Sequence, residues 1–264
     1  MDSVLAGICD DTRARVLAAR AEVPLPDVTA APSPRTPDLG DFGVIAEVKR
    51  ASPSAGPIDP DADPAAQACA YADGGAAAVS VLTEPARFGG SLADLAAVRA
   101  AVDVPLLRKD FVVDAYQVAE ARAAGADIVL LIVAALAPGE LADLADAVRA
   151  LGMTPLVEVL DVAEVDAALG AIAAGGLFGC NARNLHTLDV DLATWEAVGA
   201  ELVRSAPEGT VAVAESGVRG PADAARARAA GYRGVLVGEA LMRSGDPAAA
   251  IAELRAAAAA EAST

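Results

Sequence analysis

From residue 44 onward, short apolar runs of strand character alternate with alanine-rich helical stretches, eight times over. The pattern predicts strands at 44–49, 77–82, 104–108, 127–133, 155–159, 177–181, 211–215 and 234–238. It predicts helices near 62–74, 91–101, 114–124, 138–151, 161–170, 191–205, 219–230 and 247–260. Many helices open at Asp, Ser or Pro, and three close at Gly125, Gly152 and Gly231, which are ordinary start and stop signals. Continuous apolar strands joined through helices run parallel, with the helices covering them. Eight such units in about 220 residues point to an α/β fold, the (β/α)8 TIM barrel, rather than an open doubly wound sheet. No GxGxxG follows the first strand, which weakens a dinucleotide-binding alternative.

Residues 1–43 precede the barrel region, 44–264. Ser3 to Glu22 reads as a helix with Val4, Leu5, Ile8, Val16 and Leu17 roughly on one side. The proline-rich stretch 23–40 reads as a connector. The extension is too short for its own core, so it is expected to pack on the barrel and not to form a second domain.

Bulk properties exclude several functions. No apolar run reaches the ~20 residues of a membrane span, and the N-terminus lacks a basic segment followed by an apolar one, so no secretion signal is expected. Cys9, Cys69 and Cys180 are scattered, odd in number and without a CxxC spacing, which argues against a disulfide or zinc framework and for a reducing cytoplasm. The formal charge is −17, with 37 acidic against 20 basic residues, and disfavours nucleic-acid binding, which needs a basic face. Two origins fit this acidity equally: a high-salt cytoplasm, or a GC-rich genome rich in Asp, Ala, Gly and Arg codons.

Lysine occurs only as Lys49 and Lys109, each at the end of a strand-like run. Arginine stays protonated almost always, whereas an ammonium can give up its proton. Two lysines kept in equivalent contexts therefore suggest chemistry that arginine cannot do. In a barrel, alternate strand residues face inward and the chemistry collects at the C-terminal mouth. Glu47 and Lys49 share a face; so do Leu107 and Lys109, Leu156 and Glu158, and Val213 and Glu215. Asn181 and Arg183 lie two apart at the end of the sixth strand. Five strands thus deliver seven polar side chains to one end, an expensive burial unless they pair or line a wet cavity. The loops after strands seven and eight, Glu215-Ser216-Gly217 and Gly238-Glu239, have the glycine and helix-start character of a phosphate cradle, so a phosphorylated substrate is expected.

Glu47-Val48-Lys49-Arg50-Ala51-Ser52-Pro53-Ser54 resembles the first-strand signature of the indole-3-glycerol phosphate synthase family. Leu107-Arg108-Lys109-Asp110-Phe111, Leu156-Val157-Glu158-Val159, Asn181-Ala182-Arg183-Asn184-Leu185 and Ala214-Glu215-Ser216-Gly217-Val218 resemble its later motifs, in order along nearly the whole chain. The resemblance implies an enzyme of tryptophan biosynthesis without cofactor or metal, converting 1-(2-carboxyphenylamino)-1-deoxyribulose 5-phosphate to indole-3-glycerol phosphate, CO2 and water. It implies Lys109 as the acid at ring closure and Glu158 as the base at dehydration. Lys49 either anchors the substrate carboxylate or is the second acid. Glu47 and Asn181 orient hydroxyls and the amine, and Glu215 binds a hydroxyl or positions a lysine. Arg183 holds the carboxylate; Ser52, Ser216, Gly217, Gly238 and Glu239 lie at the phosphate end. Phe111 either flanks the substrate ring or packs in the core. The partner expected is a phosphorylated small molecule, not nucleic acid or membrane, for a monomer that associates at most weakly with other tryptophan-pathway enzymes. Leu160, Ala55 and Cys180 depart from common family residues.

Other conspicuous residues read as structural: His186 in a surface loop, Cys180 pointing away from the interior, Trp195 and Phe178 in the core, Asp110 as a helix-entry cap. Three rivals remain. A phosphoribosylanthranilate isomerase would need a Cys and an Asp as base and acid, where the first strand offers Glu47 and Lys49. A Schiff-base aldolase would use Lys109 as nucleophile. A binding protein without turnover would have no need of a full acid–base set.

Overall fold

The computed structural model describes residues 4–172 and 176–262. Ser3, expected to open the first helix, and the other residues before Val4 lie outside the described residues. Eight parallel strands close into a barrel in sequential order: β1 Gly43–Val48, β2 Ala78–Leu82, β3 Leu106–Lys109, β4 Ile128–Ile132, β5 Thr154–Val159, β6 Leu177–Asn181, β7 Val211–Glu215 and β8 Gly234–Val237. β8 returns to β1 with Gly43 opposite Gly234, which completes the ring. Helix α1, Val4–Glu22, precedes the barrel, and α2 Pro64–Asp73, α3 Leu92–Ala101, α4 Ala115–Ala123, α5 Pro138–Ala150, α6 Val165–Ala171, α7 Ala193–Ser205, α8 Pro221–Ala229 and α9 Pro247–Glu261 follow the strands in turn.

The local signals behave as their chemistry requires. Asp63, Ser91, Asp114 and Asp246 accept hydrogen bonds from first-turn amides of α2, α3, α4 and α9, satisfying donors a helix start leaves free. Gly125, Gly152 and Gly231 follow α4, α5 and α8 at φ 89°, 77° and 94°, a region L-side chains rarely enter. β3 begins at Leu106, two residues later than expected, because Pro105 has no N–H for the ladder. β1 stops at Val48, which puts Lys49 just past the strand, and β8 stops at Val237 because Gly238 opens the short helix Glu239–Met242. The sixth helical segment is split: Asp161 caps a 3-10 turn at 162–164 before α6 starts.

Two cores result from the period-two strand pattern. Val44, Ala46 and Val48 of β1, with Val157 and Val159 of β5, pack outward against the helices with Trp195, Tyr71 and Tyr232. Ile45, Leu107, Leu130, Leu156, Leu177, Val213 and Leu236 fill the barrel interior. Leu39 plugs the N-terminal end so closely that a Cβ on Gly43 would lie 2.9 Å from its side chain. At the opposite end, Leu5, Ile8 and Cys9 of α1 join the interior core. The buried face of α1 is Leu5, Ile8, Cys9, Thr12 and Val16, a helical spacing; Val4 and Leu17, expected on that face, are exposed. Its ion pairs fall on the loops after β2 and β3: Arg87–Asp11 at 2.7 Å, Arg15–Glu84 at 3.7 Å and Arg20–Asp114 at 2.8 Å.

Candidate active site

The inward residues of the last strand turns open into a cavity of about 480 Å³ at the C-terminal mouth. All thirteen residues singled out from the sequence line it: Glu47, Lys49, Ser52, Lys109, Phe111, Glu158, Asn181, Arg183, Glu215, Ser216, Gly217, Gly238 and Glu239. At its floor are three buried carboxylates, Glu47, Glu158 and Glu215.

Lys109, the last residue of β3, reaches across the barrel. Its Nζ lies 3.4 Å from Glu158 Oε2 and 3.6 Å from Glu215 Oε2. Burial works against its charge, but Glu158, Glu215 and Glu47 outweigh that and raise its pKa above the usual lysine value. Lys49 Nζ sits 2.6 Å from Glu47 Oε1, and Ser80 Oγ donates to Glu47 Oε2 at 3.3 Å. Burial opposes ionisation of Glu47; the charges of Lys49 and Lys109, with the bonds from Lys49 and Ser80, prevail and hold its carboxyl below the ordinary range. Glu215 goes the other way. Burial, then the adjacent charge of Glu158, push it well above the carboxylate range, against the pull of Lys109. Glu47 and Glu215, in one cavity, are thus driven apart in proton affinity.

Two glycines make this packing feasible. Gly179 lies on β6 between inward Leu177 and Asn181, where a Cβ would overlap Glu215 Oε1. At Gly238 a Cβ would lie 2.7 Å from Glu47 Oε1 and 2.9 Å from Lys49 Cε. Gly238 therefore gives room to the Lys49–Glu47 pair as well as opening the short helix. On the other rim, Ser216 and Gly217 hold left-handed backbone at φ 62° and 84°. Such strain in a non-glycine residue is characteristic of functional sites. Asn181 Oδ1 accepts from Arg183 N at 2.9 Å, and Arg183 Nη1 donates to Leu188 O at 2.8 Å, which fixes the guanidinium at the wall. Ser52 Oγ accepts from Ala55 N at 3.1 Å within a small hairpin, and Glu239 pairs with Arg243 at 3.0 Å.

Sequence reasoning missed several participants. Phe88 lines the cavity with Phe111, their ring centroids 6.3 Å apart and tilted by 41°. The signal was there: an aromatic in a chain with only 3% aromatics, followed by Gly89-Gly90. Gly90 permits a close pass, since a Cβ there would run into Leu82 O. Phe111 lines the cavity and is also packed into the interior core, only 7% exposed. Asp110 is not a helix cap, since Asp114 caps α4. It is buried and accepts from Thr83 Oγ1 at 2.7 Å and Arg108 Nη2 at 2.9 Å behind Lys109. His186 is an exposed loop residue, and Cys180, Phe178 and Trp195 lie in the outer core, as expected. Trp195 Nε1 donates to Glu215 O at 3.4 Å. Burial raises the Cys180 thiol to about 12. Of the family departures, Leu160 donates its N–H to Glu164 at 2.7 Å, close behind Glu158 in sequence.

An eight-stranded barrel whose mouth holds two ammonium groups among carboxylates of unequal proton affinity defines an acid–base enzyme of the (β/α)8 class. The family model described as indole-3-glycerol phosphate synthase matches residues 5–254, and the chain belongs to that family. The indole-3-glycerol phosphate synthase of Beutenbergia cavernae is 60% identical over 216 residues, covering 82% of this chain and 78% of that protein. The one from Mycobacterium ulcerans is 52% identical over 263 residues, covering 96% and 93%. A solved structure described as "Native KDPGal structure" matches with a TM-score of 0.59 at 20% identity, over 84% of this chain and 96% of that one, a likeness of fold alone. The activity is that of a ring-closing, decarboxylating lyase of tryptophan biosynthesis.

Proposed function

We propose that the cavity binds 1-(2-carboxyphenylamino)-1-deoxyribulose 5-phosphate with its ring against the Phe88–Phe111 pair and its phosphate at Ser52, Ser216-Gly217 and Gly238-Glu239. The observation that carries the assignment of roles is the position of Lys109 between Glu158 and Glu215. The aromatic carbon bearing the carboxylate attacks the ketone carbon, and Lys109 protonates the ketone oxygen as the C–C bond forms. The carboxylate bond breaks, CO2 leaves, and its electron pair restores the aromatic ring. The new hydroxyl then departs as water with a second proton, helped by the electron pair of the anilino nitrogen, while Glu158 takes a proton from the CH2 carbon beside that nitrogen, and the electrons of that C–H bond form the indole double bond. Lys49 is the other ammonium within the cavity; anchoring the carboxylate beside Arg183 and supplying the second proton are the two tasks that fall to it. A planar guanidinium suits a planar carboxylate. Glu215, whose proton affinity burial and the neighbouring Glu158 raise, is placed to bind a substrate hydroxyl. Glu47 and Asn181 orient hydroxyls and the amine.

The raised pKa of Lys109 weighs against the Schiff-base alternative, because a nucleophilic amine must be neutral and here carboxylates hold the charge in place. Extension 1–43 and barrel 44–264 act as one catalytic unit, a cytoplasmic monomer whose partner is its phosphorylated substrate. No helix among the described residues is long and apolar enough to cross a membrane. The test is turnover of the synthetic substrate, followed by growth of indole fluorescence with the product identified by mass. Glu158→Gln, folded as the parent, is expected to lose about 10²-fold or more in kcat, as loss of a general base does. Near-parental turnover would remove Glu158 from that role. Borohydride added during turnover should trap no imine on Lys109.

A further inference from the structure

The chain carries a formal charge of −17, and the substrate proposed above is anionic at both ends. Its approach is opposed unless the mouth carries a local positive field. Five basic side chains line the cavity, Lys49, Lys109, Arg183, Arg219 and Arg243, against five acidic ones. The mouth is thus balanced, although the whole chain has 20 basic residues to 37 acidic. Four of the five are already engaged. Lys49 pairs with Glu47, Lys109 lies between Glu158 and Glu215, Arg243 pairs with Glu239, and Arg183 donates to Leu188 O. Arg219 differs. Its backbone N–H donates to Asp223 Oδ2 at 2.8 Å, which fixes its place in the chain. Its guanidinium is exposed and has no hydrogen-bond or ion-pair partner among the described residues. It stands two residues beyond Gly217, on the rim that carries the left-handed Ser216-Gly217 turn.

We propose that Arg219 is the capture residue for the substrate's phosphate: an unpaired cation at the rim of the cavity whose field draws the anion toward the Ser216-Gly217 turn. This rests on the functional reading above and adds a residue to it that neither the sequence motifs nor the floor of the cavity supplied. A rim charge acts on capture and leaves the chemical step alone. Screening by salt erases its contribution, because the screening length shrinks to ~3 Å at 1 M.

The experiment compares kcat and KM for the parent, Arg219→Ala, Arg219→Glu and Arg219→Lys with the synthetic substrate, in dilute buffer and at about 1 M potassium chloride. Arg219→Ala is expected to lose about 5-fold in kcat/KM at low salt with kcat unchanged, the size of one unit charge acting on a divalent anion about 8 Å away in water. The charge-reversed variant should lose several-fold more, and Arg219→Lys should stay within about 2-fold of the parent. In molar salt the differences should collapse. With the substrate lacking its phosphate, Arg219→Ala should match the parent. Equal kcat/KM for all four proteins at low salt would overturn the proposal. So would a loss that persists in molar salt or appears equally with the dephosphorylated substrate, since either marks a structural role. A parent without turnover would instead remove the functional reading and the proposal together, and it is seen before any variant is compared.

Discussion

Gly179 shows how far the site depends on single atoms. Glu215 occupies the space that a side chain at that position would fill. Gly179→Ala should therefore cost about 1–3 kcal/mol as overpacking and lower kcat, because Glu215 and with it Lys109 must move. A variant with parental melting temperature and parental kcat would show that Glu215 can shift freely. Lys109 gives a pH prediction with a definite sign. Its folded pKa lies above 10.5, so its contribution to stability is fully present below the unfolded value and is lost as pH rises through the folded one. Glu47 has a lowered pKa, so its contribution is present above the ordinary carboxylate range and is lost as pH falls through the folded value. Turnover should accordingly show no alkaline limb from Lys109 between about pH 7 and 9. A limb in that window which disappears in Lys109→Arg would contradict the raised value.

At the scale of elements, Asp127 is the clearest structural hub. Just before β4, it accepts from Arg35 N and Leu106 N at 2.7 Å each and from Arg99 Nη1 at 3.0 Å, tying the connector to the start of β3. Asp127→Ala leaves Arg99 buried without its carboxylate and should cost about 3–5 kcal/mol in urea unfolding. A loss below about 1 kcal/mol would mean the connector is held elsewhere. The partners Arg35 and Asp127 are 92 residues apart, and nothing local in the sequence joins them. The strands were legible for the opposite reason. Inward and outward positions alternate within each strand, so Glu47, Glu158 and Glu215 could be placed on the interior face from their neighbours alone. What stayed hidden depended on contacts between elements: Phe88 beside Phe111, Arg108 on Asp110 and Thr83, and the close approach that fixes Gly179. In α1 the same limit misplaced Val4 and Leu17, since its apolar residues outnumber those that find a surface to cover.

For the whole molecule, charge is the outstanding property. Exposed pairs such as Arg226–Glu196 and Arg20–Asp114 contribute little each, while 37 acidic groups against 20 basic ones leave net repulsion. The melting temperature should rise between dilute buffer and molar potassium chloride. A flat or falling value would favour a composition set by the genome over one adapted to salt.

Whether two lysines persist in this chain because chemistry needs them is decided at Lys109. Turnover of the synthetic substrate is measured by indole fluorescence in the parent, Lys109→Met and Lys109→Arg, with folding checked by circular dichroism. A fall in kcat of about 10²-fold or more is expected in Lys109→Met, and a comparable fall in Lys109→Arg, which keeps the positive charge but not an ammonium able to release its proton. Parental kcat in either folded variant would contradict it.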